Sequence, residues 1–228
     1  MRKIIINGFP HSGSTILRKI IGDHPDVYDH TRETADWDPP KHIQEDYVVI
    51  KFVGLPIKTY PENVIRIMII KNPWDIFGSL FRRFGNEWLK YHNHQVKDYL
   101  HYAERWLYEK EGYRVFCLKY EEMFTDPQVL ADMWDHIGLD PYKRELTRRA
   151  KVGGHKYTIP DHEPSRGVNI DFRNWQINQP FENKTGDSAP WCPEKARLVL
   201  ERETIIKQIH YEKDRYSAIE SALRKGAG

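Results

Sequence analysis

Apolar positions along this chain switch repeatedly between two periods. Lys3 to Gly8 (KIIING) is a continuous apolar run that stops at a glycine, the pattern of a strand buried on both faces. Ser14 to Gly22 (STILRKIIG) then places apolar residues at 16, 17, 20 and 21, one face of a helix, with Gly22 positioned to end it. Tyr47 to Phe52 and Val64 to Ile70 are two further buried-strand runs. Ile76, Phe77, Leu80, Phe81 and Phe84 form a helical stripe, and Val96, Tyr99, Leu100, Ala103, Trp106 and Leu107 a longer one. Tyr113 to Leu118 returns to strand, and Val129, Leu130, Met133, Trp134 and Ile137 return to helix. Strands alternating with helices predict right-handed βαβ units, hence an α/β protein with a central parallel sheet flanked by helices.

Two later stretches break this rhythm. Lys151 to Pro193 is punctuated by Gly and Pro and keeps no period, which predicts a long loop; Phe172, Trp175, Phe181 and Trp191 argue for its being ordered. From Glu194 to about residue 225 the pattern predicts one amphipathic helix, with Leu198, Ile205, Ile209, Tyr216, Ile219 and Leu223 on one side. No repeat or linker divides the chain, so its 228 residues are expected to form one domain. Composition excludes several classes. The 35 basic and 33 acidic residues nearly cancel, which gives no electrostatic footprint for nucleic acid. Two cysteines, Cys117 and Cys192, make neither a disulfide framework nor a zinc site, and no histidine spacing suggests a metal. The apolar run Ile4-Ile5-Ile6 is too short for a signal peptide or a membrane span, so the expectation is a cytoplasmic protein without a membrane span.

The candidate chemistry begins between the first strand and the first helix, at Gly8-Phe9-Pro10-His11-Ser12-Gly13-Ser14-Thr15. Glycines five apart at a strand-to-helix turn make a nest of backbone N–H groups at a helix N-terminus, which suits a phosphate. The Walker pattern GxxxxGK[ST] would put Lys at position 14, where this chain has Ser14, so a metal-bound triphosphate is a poor fit. Taken alone, the string reads equally well as an ordinary βα turn. FPHSGSTIL resembles the 5′-phosphosulfate loop of sulfotransferases, a strand followed by P-[KR]-S-G-[ST]-T and a helix. The resemblance implies a three-layer P-loop-like fold and the donor 3′-phosphoadenosine 5′-phosphosulfate (PAPS), with Pro10, His11, Ser12, Gly13, Ser14 and Thr15 at its 5′ end and no metal required. His11 departs from the family's usual Lys or Arg.

Lys71-Asn72-Pro73-Trp74-Asp75 followed by Ser79 comes directly after the Val64–Ile70 strand and is similar to the family's R-N-P-x-D-x-x-x-S motif, which implies that Lys71 and Ser79 bind the 3′-phosphate. A small helix-packing residue is the plainer reading of Ser79 by itself. Lys119-Tyr120-Glu121-Glu122 with Asp126-Pro127 resembles the family's R-Y-E-D…D-P, which implies that Tyr120 lies near the nucleotide, although a half-buried strand-end aromatic reads equally well. Ser165-Arg166-Gly167 resembles the R-K-G loop that folds over the nucleotide, implying roles for Arg166 and Gly167; Arg173 and Lys184 are alternatives to Arg166.

Lys51 ends the Tyr47–Phe52 strand where cytosolic sulfotransferases have K-T-H-L-P. The resemblance implies a Lys at the sulfuryl group, while Val53 takes the place of the family's catalytic His. His24-Pro25-Asp26-Val27 with Arg32-Glu33-Thr34 resembles tyrosylprotein sulfotransferases, implying Glu33 as general base; His30 competes for that role. The expectation is sulfuryl transfer from PAPS to a hydroxyl or amine of a small-molecule, carbohydrate or peptide acceptor, with Glu33, Lys51 and His11 as catalytic residues. The rival readings are a P-loop small-molecule kinase and a catalytically silent nucleotide-binding module. Neither the acceptor nor the oligomeric state is legible in the residues.

Overall fold

The structure is a computed structural model that describes residues 1–30, 43–53, 64–84, 93–111, 114–142, 186 and 188–211. Five strands, β1 (Arg2–Gly8), β2 (Val27–His30), β3 (Tyr47–Val53), β4 (Val64–Ile70) and β5 (Phe116–Lys119), form one sheet in the order β2-β3-β1-β4-β5. Every pairing is parallel. The helices are α1 (Ser14–Gly22), α2 (Pro73–Phe84), α3 (Asn93–Glu111), α4 (Glu122–Thr125), α5 (Pro127–Ile137), α6 (Glu194–Arg202) and α7 (Thr204–Gln208), with a short 3-10 turn at Ala189–Trp191. The protein is therefore α/β, with a five-stranded parallel sheet flanked by helices, consistent with a three-layer P-loop-like arrangement.

Strand pleating sorts the core into two layers. Ile4 and Ile6 of β1 and Ile67 and Ile69 of β4 pack on one face with Leu17, Ile21, Met133, Trp134 and Ile137 of α1 and α5. Met68 and Ile70 point the other way, into a cluster with Phe77, Leu80, Tyr99, Trp106, Leu200 and Ile206 from α2, α3, α6 and α7. Burial on both faces explains why the central strands read as unbroken apolar runs rather than as alternation.

Local signals start and stop the elements. Asp126 caps α5, its side chain accepting the Gln128 N–H at 3.0 Å, Pro127 occupies the first turn, and Gly138 ends the helix at φ 79°. The Asp126-Pro127 pair singled out in the sequence is thus a helix start. Asn72 does the same for α2, its Oδ1 accepting from Trp74 N at 3.0 Å and its carbonyl from Ile76 N at 3.1 Å.

Three features differ from the sequence reading. β2 is an edge strand that the four residues VYDH do not announce. β5 is displaced toward the C-terminus of the expected run, ending at Lys119. The C-terminal helix is two helices, parted at Glu203, whose backbone is extended at φ −82°, ψ 123°. Leu198, expected on the buried stripe, is 45% exposed, while Ala196, Leu200, Ile205 and Ile206 are buried. One straight helix cannot turn all four inward, and the break at Glu203 lets α7 reach the α3 face. Of the expected loop 151–193, residues 151–185 and 187 lie outside the described residues, as does the expected helix beyond Tyr211. Among the described residues, no helix is long and apolar enough to cross a membrane.

Candidate functional site

The strand order places β1 at the centre and sends the chain first to β2 and β3 on one side, then across to β4 and β5 on the other. At such a reversal the loops following adjacent parallel strands diverge and leave a crevice at their C-terminal ends, where α/β proteins bind ligands. The candidate residues of β1, β3, β4 and β5 all lie at that end, because Gly8 is in register with Val53 on one side and Ile69 on the other.

The loop after β1 turns tightly. The Ser12 N–H bonds the Phe9 carbonyl at 3.0 Å, and the Ile16 and Leu17 amides close on the Gly13 carbonyl at 3.0 and 3.2 Å. The amides upstream of Ile16 are those that a helix start leaves without an intrahelical acceptor. Gly13 caps the helix at φ 90°, and a Cβ there would overlap the Tyr120 ring. Both facts require glycine. His11 adopts φ 65°, the left-handed region that a non-glycine residue enters at a cost. Its Nδ1 lies 2.9 Å from Ser79 Oγ on α2. The loop after β1 and the motif after β4 are thereby joined side chain to side chain.

Lys51 and Lys71 flank this loop and are 5% and 8% exposed. Lys51 points to the α1 side, where its Nζ donates to Thr15 Oγ1 at 2.7 Å. Lys71 Nζ sits 3.7 Å from Asp75 Oδ2 and 4.4 Å from the centre of the Tyr120 ring. Lys71 precedes α2 and Ser79 lies two turns into it, hydrogen-bonded to His11. Tyr120 is buried, its ring against Gly13 and Phe124, so it supports the loop and Lys71 from below.

Buried polar groups brace the helix entry. Asp75 is fully buried and accepts from the Gly186 N–H at 2.6 Å and the Ser188 N–H at 3.1 Å, pinning the return of the chain onto α2. Gly78 lies beneath the same segment, where a Cβ would collide with the Ser188 carbonyl. Glu121 Oε1 accepts the Asn72 N–H at 2.9 Å and its Oε2 accepts the Tyr211 hydroxyl at 3.2 Å. Burial drives the Glu121 carboxyl up to about 7, against the pull of the Asn72 and Glu121 backbone N–H groups and of Lys71. Tyr99 donates to the Lys71 carbonyl at 2.9 Å, and burial, with Glu121 and Tyr102 adding to it, holds its phenol well above the usual range. Asp75, Asn72, Tyr99, Glu121 and Tyr211 escaped the sequence reading as a cluster. Asn72, Asp75 and Glu121 stand inside the two motifs quoted from the sequence, but nothing in the sequence joins them to Tyr99 and Tyr211.

His30, the competing base, ends β2 in register with Ile50, one residue before Lys51, and its carbonyl accepts from Arg18 Nη1 at 3.3 Å. Arg18 also holds Asp29 at 3.0 Å, which fixes the end of this edge strand. Glu33, Arg166, Gly167, Arg173 and Lys184 lie outside the described residues. Burial pushes the thiols of Cys117 and Cys192 up to about 12, so neither is a thiolate nucleophile at neutral pH. Among the described residues, no group of three or more His, Cys, Asp or Glu side chains is arranged to hold a metal ion. Comparison of the chain with models of known protein families gives no match, and comparison with curated proteins gives none either. Function is therefore read from the residues themselves.

Proposed function

We propose that this protein is a PAPS-dependent sulfotransferase. The observation that carries the reading is the 2.9 Å contact between His11 Nδ1 and Ser79 Oγ, which brings two phosphate-motif candidates 68 residues apart in sequence to one place at the switch point of the sheet. The site fits the donor on two further counts. Ser12 Oγ is buried in the loop and, among the described residues, has no hydrogen-bond partner, an orphan that a phosphate or sulfate oxygen would satisfy. Three side chains that are or can become cationic, His11, Lys51 and Lys71, stand around one helix N-terminus.

In this reading the loop amides, Ser12, Ser14 and Thr15 hold the 5′ end of the donor, while Lys71 and Ser79 hold the 3′-phosphate. Arg166 and Gly167 would cover the nucleotide. The donor supplies an activated sulfuryl group carried on a mixed phosphate–sulfate anhydride. Lys51 and His11 counter negative charge at the transferred group, and Lys51 is oriented for this by Thr15. Glu33 takes the proton of a hydroxyl or amine acceptor on a small molecule, carbohydrate or peptide. No metal is needed for these roles, and we place the activity in the cytoplasm.

Thermal unfolding tests the reading. With EDTA present, 3′,5′-diphosphoadenosine should raise Tm, and at 100 times its Kd should add about 2.7 kcal/mol. Greater stabilisation by ATP–Mg²⁺ would replace the sulfotransferase by a P-loop kinase.

A further inference from the structure

Lys71, the cation assigned to the 3′-phosphate, is not alone with its ligand. It faces Asp75 Oδ2 at 3.7 Å, and its charge also acts on the buried carboxyl of Glu121. If both carboxyls were ionised, one ammonium would be set against two anions, and an arriving phosphate would meet net negative charge in a site shielded from water. A proton on one carboxyl removes the conflict, and hydrogen bonding decides which one.

Both Asp75 oxygens face backbone N–H donors, those of Gly186 and Ser188, which cannot turn round to accept. With the Lys71 ammonium these are three donors, none of which can accept a hydrogen bond in return. Glu121 is different. Its Oε1 keeps the Asn72 N–H in either state, and its Oε2 meets the Tyr211 hydroxyl, which can reverse from donor to acceptor. We propose that Glu121 is a positioning residue that takes up one proton from solvent when Lys71 engages an anion and releases it when the anion leaves. While neutral it still grips Asn72, and so keeps α2, with Ser79, aimed at the bound group.

The groups around Glu121 favour this exchange. From the β4–α2 connection come Lys71 and the Asn72 N–H; from α2, Asp75; from α3, Tyr99; from beyond α7, Tyr211, whose ring lies under the Lys119 ammonium at 4.7 Å. On its own element, Glu122 is occupied with the Lys119 N–H at 3.2 Å. Burial already holds the Glu121 carboxyl near neutrality, with Lys71 opposing it. An anion on Lys71 offsets that opposition and adds repulsion of its own, so the carboxyl moves further up.

The inference rests on the nucleotide reading only for the identity of the anion. The test is isothermal titration of the full chain with 3′,5′-diphosphoadenosine, and separately with inorganic pyrophosphate, in two buffers of different ionisation enthalpy between pH 6 and 8.5. The wild type should take up more protons than Glu121→Gln, by up to one, near pH 8, where the phosphate monoesters of 3′,5′-diphosphoadenosine are already ionised; with pyrophosphate, which still carries a proton there, only the difference between wild type and variant is read. Its affinity should fall by up to about tenfold per pH unit above pH 7, while Glu121→Gln, which mimics the neutral form, stays flat and binds more tightly at pH 8.5. Should Glu121→Gln not fold, Tyr211→Phe interrogates the same carboxyl: losing a donor to the ionised form must move the uptake profile to higher pH. Equal uptake in wild type and Glu121→Gln, or a profile unmoved by Tyr211→Phe, overturns the proposal. Pyrophosphate binding with proton uptake while diphosphoadenosine fails to bind would overturn the nucleotide reading and leave Glu121 in its role. Binding of neither overturns both.

Discussion

Lys51 and Lys71 stand on opposite sides of β1 at the same end of the sheet, and both are almost wholly buried. The bond recorded for Lys51 goes to a neutral hydroxyl, Thr15 Oγ1, on the helix that opens the phosphate loop. Lys71 is instead set against a carboxylate and over an aromatic face, with a second carboxyl within electrostatic reach. The difference fits the two tasks that the motifs imply for these lysines. The Thr15 hydroxyl orients the Lys51 ammonium without itself neutralising it. A cation held by carboxylates has that charge partly spent, and it responds to a ligand by rearranging protons around it. In the proposed function Lys51 serves the reacting group and Lys71 recognition.

The sharpest way to break this division is through the acceptor side. Glu33→Gln keeps shape and removes basicity, so turnover should fall by about 10²–10⁴ while nucleotide affinity stays nearly unchanged. His30→Asn should be mild; near-full activity in Glu33→Gln with a dead His30→Asn would move the base to the end of β2. The two lysines should then part company. Lys71→Ala should weaken 3′,5′-diphosphoadenosine by roughly 1.5–3 kcal/mol while hardly affecting 5′-AMP, which lacks the group it reads. Lys51→Ala should depress kcat more than it weakens diphosphoadenosine. Equal losses for both nucleotides in Lys71→Ala would erase the distinction drawn here.

Stability offers a smaller and independent handle. Glu121 binds its proton more tightly in the folded chain, at about 7, than its ordinary 4.5. Between those values the folded state holds a proton that the unfolded state has lost, so stability falls as pH rises through the window and levels off above it. Glu121→Gln should abolish that slope, and at pH 8 should be more stable than the wild type, by up to about 3 kcal/mol. Denaturant unfolding at pH 5 and pH 8 reads the difference. Last, Gly78→Ala should cost roughly 1–3 kcal/mol, because its methyl group must displace the Ser188 carbonyl from α2.

How much of this was written in the sequence depends on the range of the interaction. β4 was readable to the residue, since a strand buried on both faces is an unbroken apolar run. α1 and the loop before it were equally plain, because glycine spacing and a helical stripe are local. β2 was not, being four half-polar residues at the edge of the sheet. The split between α6 and α7 was invisible because tertiary packing, not period, sets the break at Glu203. Within the site, Lys51, Lys71, Ser79 and His11 were named from motifs, but the bond between His11 and Ser79 spans 68 positions, and that between Glu121 and Tyr211 spans 90. No local pattern encodes such pairs, so the placing of Glu121 between Asn72 and Tyr211 came to light only in the folded chain.

The measurement that bears most directly on the account is transfer of labelled sulfate from PAPS, in EDTA, to a mixed panel of phenols, carbohydrates and tyrosine peptides. The account predicts label on at least one acceptor hydroxyl or amine, lost in Glu33→Gln and reduced in Lys51→Ala. Tight binding of 3′,5′-diphosphoadenosine with no label on any acceptor would contradict it and leave a silent nucleotide-binding module.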